Sequence, residues 1–138
     1  MAQIGSMSRI STAPAVAVLR VENLERAKRF YAETLGFAED TSQSGEGMAI
    51  FSAGKGSQFT LYERPGIGAP ENTTLAFPVS APDFDAIMDE LRSRGVRFED
   101  YDIPQMGLKT ENGVATYDSS KSAWFKDSEG NILNLVTM

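Results

Sequence analysis

The chain of 138 residues contains neither cysteine nor histidine. Without them it cannot build a disulfide framework, a zinc finger, an iron–sulfur centre, a histidine-ligated haem, a Ser-His-Asp triad or a cysteine nucleophile. Acid–base chemistry near neutral pH would fall to shifted carboxylates, Lys or Tyr. Positive charge is also short, with 13 Lys and Arg against 19 Asp and Glu and a formal net charge of −6. An acidic surface repels phosphate backbones and anionic lipid, so neither nucleic acid nor a membrane is an expected partner. No apolar run approaches the ~20 residues of a membrane span. Residues 1–13 hold one Arg and no continuous apolar stretch, unlike a secretory signal. They are expected to form a flexible tail with Met7 as an alternative initiator, and a cytoplasmic location is the expectation.

What remains is an ordinary globular composition, 41% apolar and 23% charged, at a length suited to one domain, expected over residues 14–138. Ala15 to Val21, "AVAVLRV", is short, apolar and rich in Val, as a strand should be. A helix follows at once. Asn23 is placed to cap it, Leu24, Ala27, Phe30, Tyr31 and Leu35 recur on one face, and Gly36 supplies a left-handed stop before Phe37. The same order returns later. "TLAFPV" (Thr74 to Val79) alternates like a strand, with Pro78 favouring an edge or a bulge. Ser80 or Ala81 then precedes Pro82 at a helix start, Phe84, Ile87, Met88 and Leu91 form the stripe, and Gly95 ends it. Val21 to Val79 spans 58 positions and Gly36 to Gly95 spans 59, the mark of a two-fold internal repeat.

Each half continues into a hairpin: "GMAIFSA" with "SQFTLYE", and "KSAWFKD" with "NILNLVT". Module one is thus expected over about 14–66 and module two over about 74–138, each β-α-β-β-β. They are joined by a Pro- and Gly-rich linker at about 65–73. Asp102 to Ser120 reads as a long irregular stretch, a lid, a pocket wall or a mobile loop. The link "SAGKGS" resembles a phosphate loop only superficially, because it sits between strands and lacks the GxxxxGK[ST] spacing.

With "VLRVENLERAKRFYAETLGF" in the first half and "WFKDSEGNILNL" at the end, set in two β-α-β-β-β modules, the chain resembles the vicinal oxygen chelate superfamily. That group includes glyoxalase I, bleomycin-resistance proteins and extradiol dioxygenases. The resemblance covers about residues 14 to 138. It implies an α+β fold of two βαβββ modules, curved mixed sheets around a cleft, and frequent dimerisation. Metal-dependent members carry His, Glu or Gln at four inward positions. In this chain those positions map to Val16, Thr60, Thr74 and Asn134. Two hydroxyls, an amide and an isopropyl group are a poor first shell for any divalent metal, so no metal and no other cofactor is expected.

If Val16 faces the cleft, strand alternation sends Val18 and Arg20 the same way, and on the next strand Gln58, Thr60, Tyr62 and Arg64. In glyoxalase-like relatives an Arg at this strand position can hold a substrate carboxylate; alternatively Arg20 is a solvated or ion-paired residue at a strand end. Ala76 and Pro78 would line the cleft beside Thr74, and Ile132 and Val136 beside Asn134. Trp124 would share that side with Lys126 and could stack on a planar ligand, or it belongs to the core. Tyr101 and Met106 are candidates from the long loop.

These substitutions favour a metal-free small-molecule-binding protein of the glyoxalase/bleomycin-resistance type, expected as a homodimer with an aromatic or anionic ligand. The alternative is a glyoxalase-like lyase, isomerase or dioxygenase with a non-standard site, using Glu63, Tyr62 or Glu22 as a base. A third reading is a dimeric interaction module whose cleft is closed by its own side chains.

Overall fold

The computed structural model describes residues 9–138, so residues 1–8 of the expected tail lie outside the described residues. Arg9–Thr12 forms a single exposed 3-10 turn. The apolar alternation then starts β1 (Ala17–Val21), which buries Leu19 and Val21. The Asn23 side chain accepts from the Arg26 N–H at 3.0 Å and thereby starts α1 (Leu24–Arg29), which buries Leu24 and Ala27. The expected uniform helix ends instead in a π turn, Phe30–Thr34, where the Leu35 N–H reaches back to the Phe30 carbonyl. This widened turn carries Tyr31, which is wholly buried. Gly36 closes the segment at φ 85°, where a Cβ would be strained.

Short β2 (Ala38–Glu39), β3 (Met48–Ser52) and β4 (Gln58–Glu63) complete the first sheet in the order β1-β4-β3-β2, with β1 and β4 parallel. The second module repeats the design. β5 (Thr73–Val79) leads to α2 (Ala81–Ser93), capped by Ser80 with Pro82 in its first turn; α2 buries Phe84, Met88 and Leu91. β5 lies at a sheet edge, where the missing N–H of Pro78 breaks no ladder on the open side. The backbone shows the repeat directly: the Arg64 N–H donates to Val21 O and the Met138 N–H to Val79 O, both at 2.9 Å.

The stretch after α2 departs from the sequence reading. Phe98 makes a single bridge to Phe125, and the segment expected to be irregular forms β6 (Asp102–Ile103), β7 (Leu108–Glu111) and β8 (Val114–Tyr117). With β9 (Ser120–Lys126) and β10 (Ile132–Thr137) these give a six-stranded sheet, β5-β10-β9-β8-β7-β6. The physical reason is turn chemistry. Asn112-Gly113, both at positive φ (53° and 80°), is the two-residue hairpin signal between β7 and β8.

The helix-facing sides of both sheets share one core, in which Leu19, Val21, Phe59 and Leu61 meet Leu91, Val96, Phe125 and Leu133. Phe37 bridges the modules, its ring 5.3 Å from Phe59 and 5.4 Å from Phe77. A polar lock closes one side of this junction. The β9–β10 turn inserts against the start of α1, and the Glu129 carboxylate accepts from the N–H groups of Glu22 (3.1 Å) and Asn23 (2.8 Å). It also pairs with Arg26 through two 2.8 Å bonds. Burial opposes its ionisation, but Arg26, Ser128 and the Asn23 N–H outweigh that and hold the Glu129 carboxyl at about 2. Beside it Asp127 accepts from the Tyr31 hydroxyl at 2.6 Å, and Asn131 donates to the Arg20 carbonyl at 2.9 Å.

Candidate functional site

Strand alternation divides each sheet into a core side and an outward side. On the outward side of the first sheet the register sets Val18 against Thr60 and Arg20 against Tyr62, with Ile50 and Met48 on the far side of Thr60 and Tyr62. Val16 lies just before β1 and is 45% exposed, while Val18 is 59% exposed, unusual for two valines of one strand end. On the second sheet Asn134 stands between Trp124 and Ala76. Asn134 is buried and donates its amide to the Ala123 carbonyl at 3.1 Å. The indole N–H of Trp124 donates to Thr73 Oγ1 at 3.2 Å, and its ring meets Tyr101 edge-on at 5.7 Å, so Trp124 sits half-buried on the outward side. Thr74 donates its hydroxyl to Ile132 O at 3.1 Å.

The seven candidate residues therefore fall into two groups. Val16, Arg20, Thr60 and Tyr62 belong to the first sheet; Thr74, Trp124 and Asn134 belong to the second, and no ladder joins the sheets. The outward face of the first sheet is open at Val16 and Val18, whereas on the second Ser122 and Asn134 are buried.

Arg20 stands out chemically. Its Nη2 donates to the Glu129 carbonyl at 2.7 Å, yet Nε and Nη1, both shielded from solvent, meet no acceptor. Buried polar groups are normally satisfied, and two orphaned N–H donors on a cation are an uncommon debt. Tyr62 flanks Arg20 in the register, and the Arg64 guanidinium lies 5.9 Å from the Tyr62 ring centre. Two cations and one aromatic ring thus gather at the same end of β1 and β4.

The carboxylates weighed as bases are engaged elsewhere. Glu63 accepts from the Leu24 N–H and Glu22 from the Gly66 N–H, each at 2.9 Å, so both tie down backbone at the strand ends. That leaves Tyr62 as the one of the three on the outward face. The four mapped metal positions supply a hydroxyl already donating from Thr74, a second hydroxyl from Thr60, an amide from Asn134 and nothing from Val16. This donor set does not fit a divalent transition metal, and among the described residues no three of His, Cys, Asp and Glu cluster together. No helix among the described residues is long and apolar enough to cross a membrane.

The lock built from Asp127, Glu129 and Asn131 is the main thing the sequence reading missed. Its signal was present in "DSEGN", where three polar side chains alternate in a link between two buried strands and need partners.

The family model described as Glyoxalase/Bleomycin resistance protein/Dioxygenase superfamily matches residues 13–135. No curated protein sequence matches the chain. Among solved structures, an integron cassette protein from the mobile metagenome of a Halifax Harbour sewage outfall is 20% identical. It aligns over 92% of this chain and 99% of its own with a TM-score of 0.66. The fosfomycin resistance protein FosX of Mesorhizobium loti aligns over 92% of each chain at 16% identity and TM-score 0.62. A glyoxalase/dioxygenase of Nostoc punctiforme aligns over 96% of each at 14% identity and TM-score 0.66. At these identities the structural likeness speaks for the fold alone, while the family model spans nearly the whole chain. The protein belongs to the Glyoxalase/Bleomycin resistance protein/Dioxygenase superfamily.

Proposed function

We propose that this chain is a metal-independent small-molecule-binding protein of the glyoxalase/bleomycin-resistance type, and that it takes an anionic, preferably aromatic, ligand on the outward face of its first sheet. The observation that carries this reading is Arg20, whose Nε and Nη1 are hidden from solvent and lack acceptors. An anion there would satisfy both donors in the fork geometry that guanidinium favours. Tyr62 and Arg64 supply a stacking surface and a second cation beside it. Val16 and Thr60 share that face, and Thr74, Trp124 and Asn134 on the second sheet complete the proposed cleft where a homodimer brings the two faces together. The open face with exposed Val16 and Val18 suits a homodimer in which a second copy covers it. The compartment that fits this reading is the cytoplasm.

The test is calorimetry and thermal shift with EDTA present, using fosfomycin, bleomycin and a series of aromatic carboxylates. At least one anionic compound binds saturably to the wild type, and Arg20→Met weakens it by about 10- to 100-fold. That range corresponds to roughly 1.5–3 kcal/mol for a charged hydrogen bond. Absence of any saturable ligand, or undiminished binding by Arg20→Met, overturns the reading.

A further inference from the structure

The repeat makes the two inter-module junctions comparable position by position, and they are not alike. In one, the 127–131 turn of module two closes on the start of α1 through Asp127, Glu129 and Asn131. In the other, the matching turn is 53–57, between β3 and β4, and it faces the end of β5 and the start of α2. The two turns have equal length and the same backbone closure: Ala53 N–H to Ser57 O at 2.8 Å, Asp127 N–H to Asn131 O at 2.9 Å. Their side chains differ. Ala53, Lys55 and Ser57 stand where Asp127, Glu129 and Asn131 stand in the other turn. On the helix side, the N-cap bonds align Asn23 with Ser80 and so Arg26 with Asp83, which puts the charges of the lock in exchanged places, and no ion pair joins Asp83 to Lys55.

The second junction is therefore left open as a cavity of about 730 Å³. Its body is apolar, with Ala17, Phe37, Phe59 and Phe77 in the wall, and Phe37 stacks on Phe77 at an interplanar angle of 24°. The charged side chains of its lining are Lys55 on the turn and Asp83 on the helix, and no ion pair joins them. The volume lies within the ~300–1,000 Å³ of drug-sized ligand sites. Of the cleft-facing candidates Gln58, Ala76 and Pro78 reach its wall, whereas Val16, Arg20, Thr60, Tyr62, Thr74, Trp124 and Asn134 do not line it.

We infer that this junction is a second ligand site, taking a planar apolar molecule with one anionic group. Its rings lie against Phe37, Phe59 and Phe77. Its anion pairs with the Lys55 ammonium on the turn side of the mouth. Asp83 repels the anion from the helix side and so fixes the direction of entry.

The experiment is fluorescence titration of the intact chain with 8-anilinonaphthalene-1-sulfonate, alongside the uncharged N-phenyl-1-naphthylamine. The wild type binds the sulfonate saturably at one class of site. Lys55→Glu, an exposed turn substitution, weakens the sulfonate at least tenfold and leaves the neutral dye unchanged. Ala17→Phe fills the cavity and abolishes both, with circular dichroism confirming the fold. Arg20→Met leaves both dyes unaffected, which separates this site from the outward face. Sulfonate binding that ignores Lys55→Glu overturns the anionic assignment. Dye binding that ignores Ala17→Phe, or that disappears in Arg20→Met, overturns the site itself without touching the proposed role of Arg20.

Discussion

Glu129→Gln tests the lock between the modules. Gln retains an oxygen for the Glu22 and Asn23 N–H groups but loses both charged bonds to Arg26. The Glu129 carboxyl lies at about 2 against an ordinary 4.5. Undiscounted, that difference corresponds to about 3 kcal/mol of folding stability. The Arg26 side chain is 47% exposed, so solvent screening reduces it to about 1–2 kcal/mol. Because the folded pKa is the lower one, this stability is complete above pH 4.5 and fades as pH falls toward 2, with roughly half gone at pH 3. Urea unfolding at pH 7, 5 and 3 reads it directly. At a slope of roughly 1–3 kcal/mol per molar, the variant's midpoint falls by about 0.5–1 M at pH 7, and the gap to wild type narrows at pH 3. Equal midpoints at pH 7, or a gap that stays constant down to pH 3, would refute the lock as described.

Four further outcomes follow from the same geometry. Leu133→Ala, at a fully buried position of the shared core, lowers stability by about 2–5 kcal/mol in denaturant unfolding. Tyr31→Phe removes the hydroxyl that donates to Asp127, which keeps its bonds from the Glu129 and Asn131 N–H groups, so thermal unfolding shows a loss of only about 1 kcal/mol. Val18→Glu puts a charge on the exposed face proposed for the partner copy and shifts sedimentation from dimer to monomer; an unchanged dimer would remove that face from the interface. Metal analysis after dialysis finds Mn, Fe, Ni and Zn all far below one per chain, and stoichiometric metal would contradict the donor chemistry at Thr60, Thr74 and Asn134.

Local rules made much of this molecule legible. Asn23, Ser80, Gly36 and Gly95 punctuate the helices because caps and left-handed stops depend on a few neighbouring atoms. Leu19 and Val21 go inward while Val16 and Val18 stay outside because a strand alternates whatever it packs against. The β7–β8 hairpin was also written locally, in Asn112-Gly113, but the polar residues around it hid the strands.

The sequence by itself determined the repeat, the family and the absence of His and Cys, since these depend on residue identity and spacing along the chain. Only the tertiary structure decided what the polar groups do. It took Glu22 and Glu63 for backbone ties and Glu129 for the lock. It left Arg20 with two donors unmet, and it opened a cavity where Lys55 replaces an acid. A side chain's partner is set by which residues the fold brings within about 3 Å of it, and for Arg20 and Glu129 those lie across the junction, in the other module.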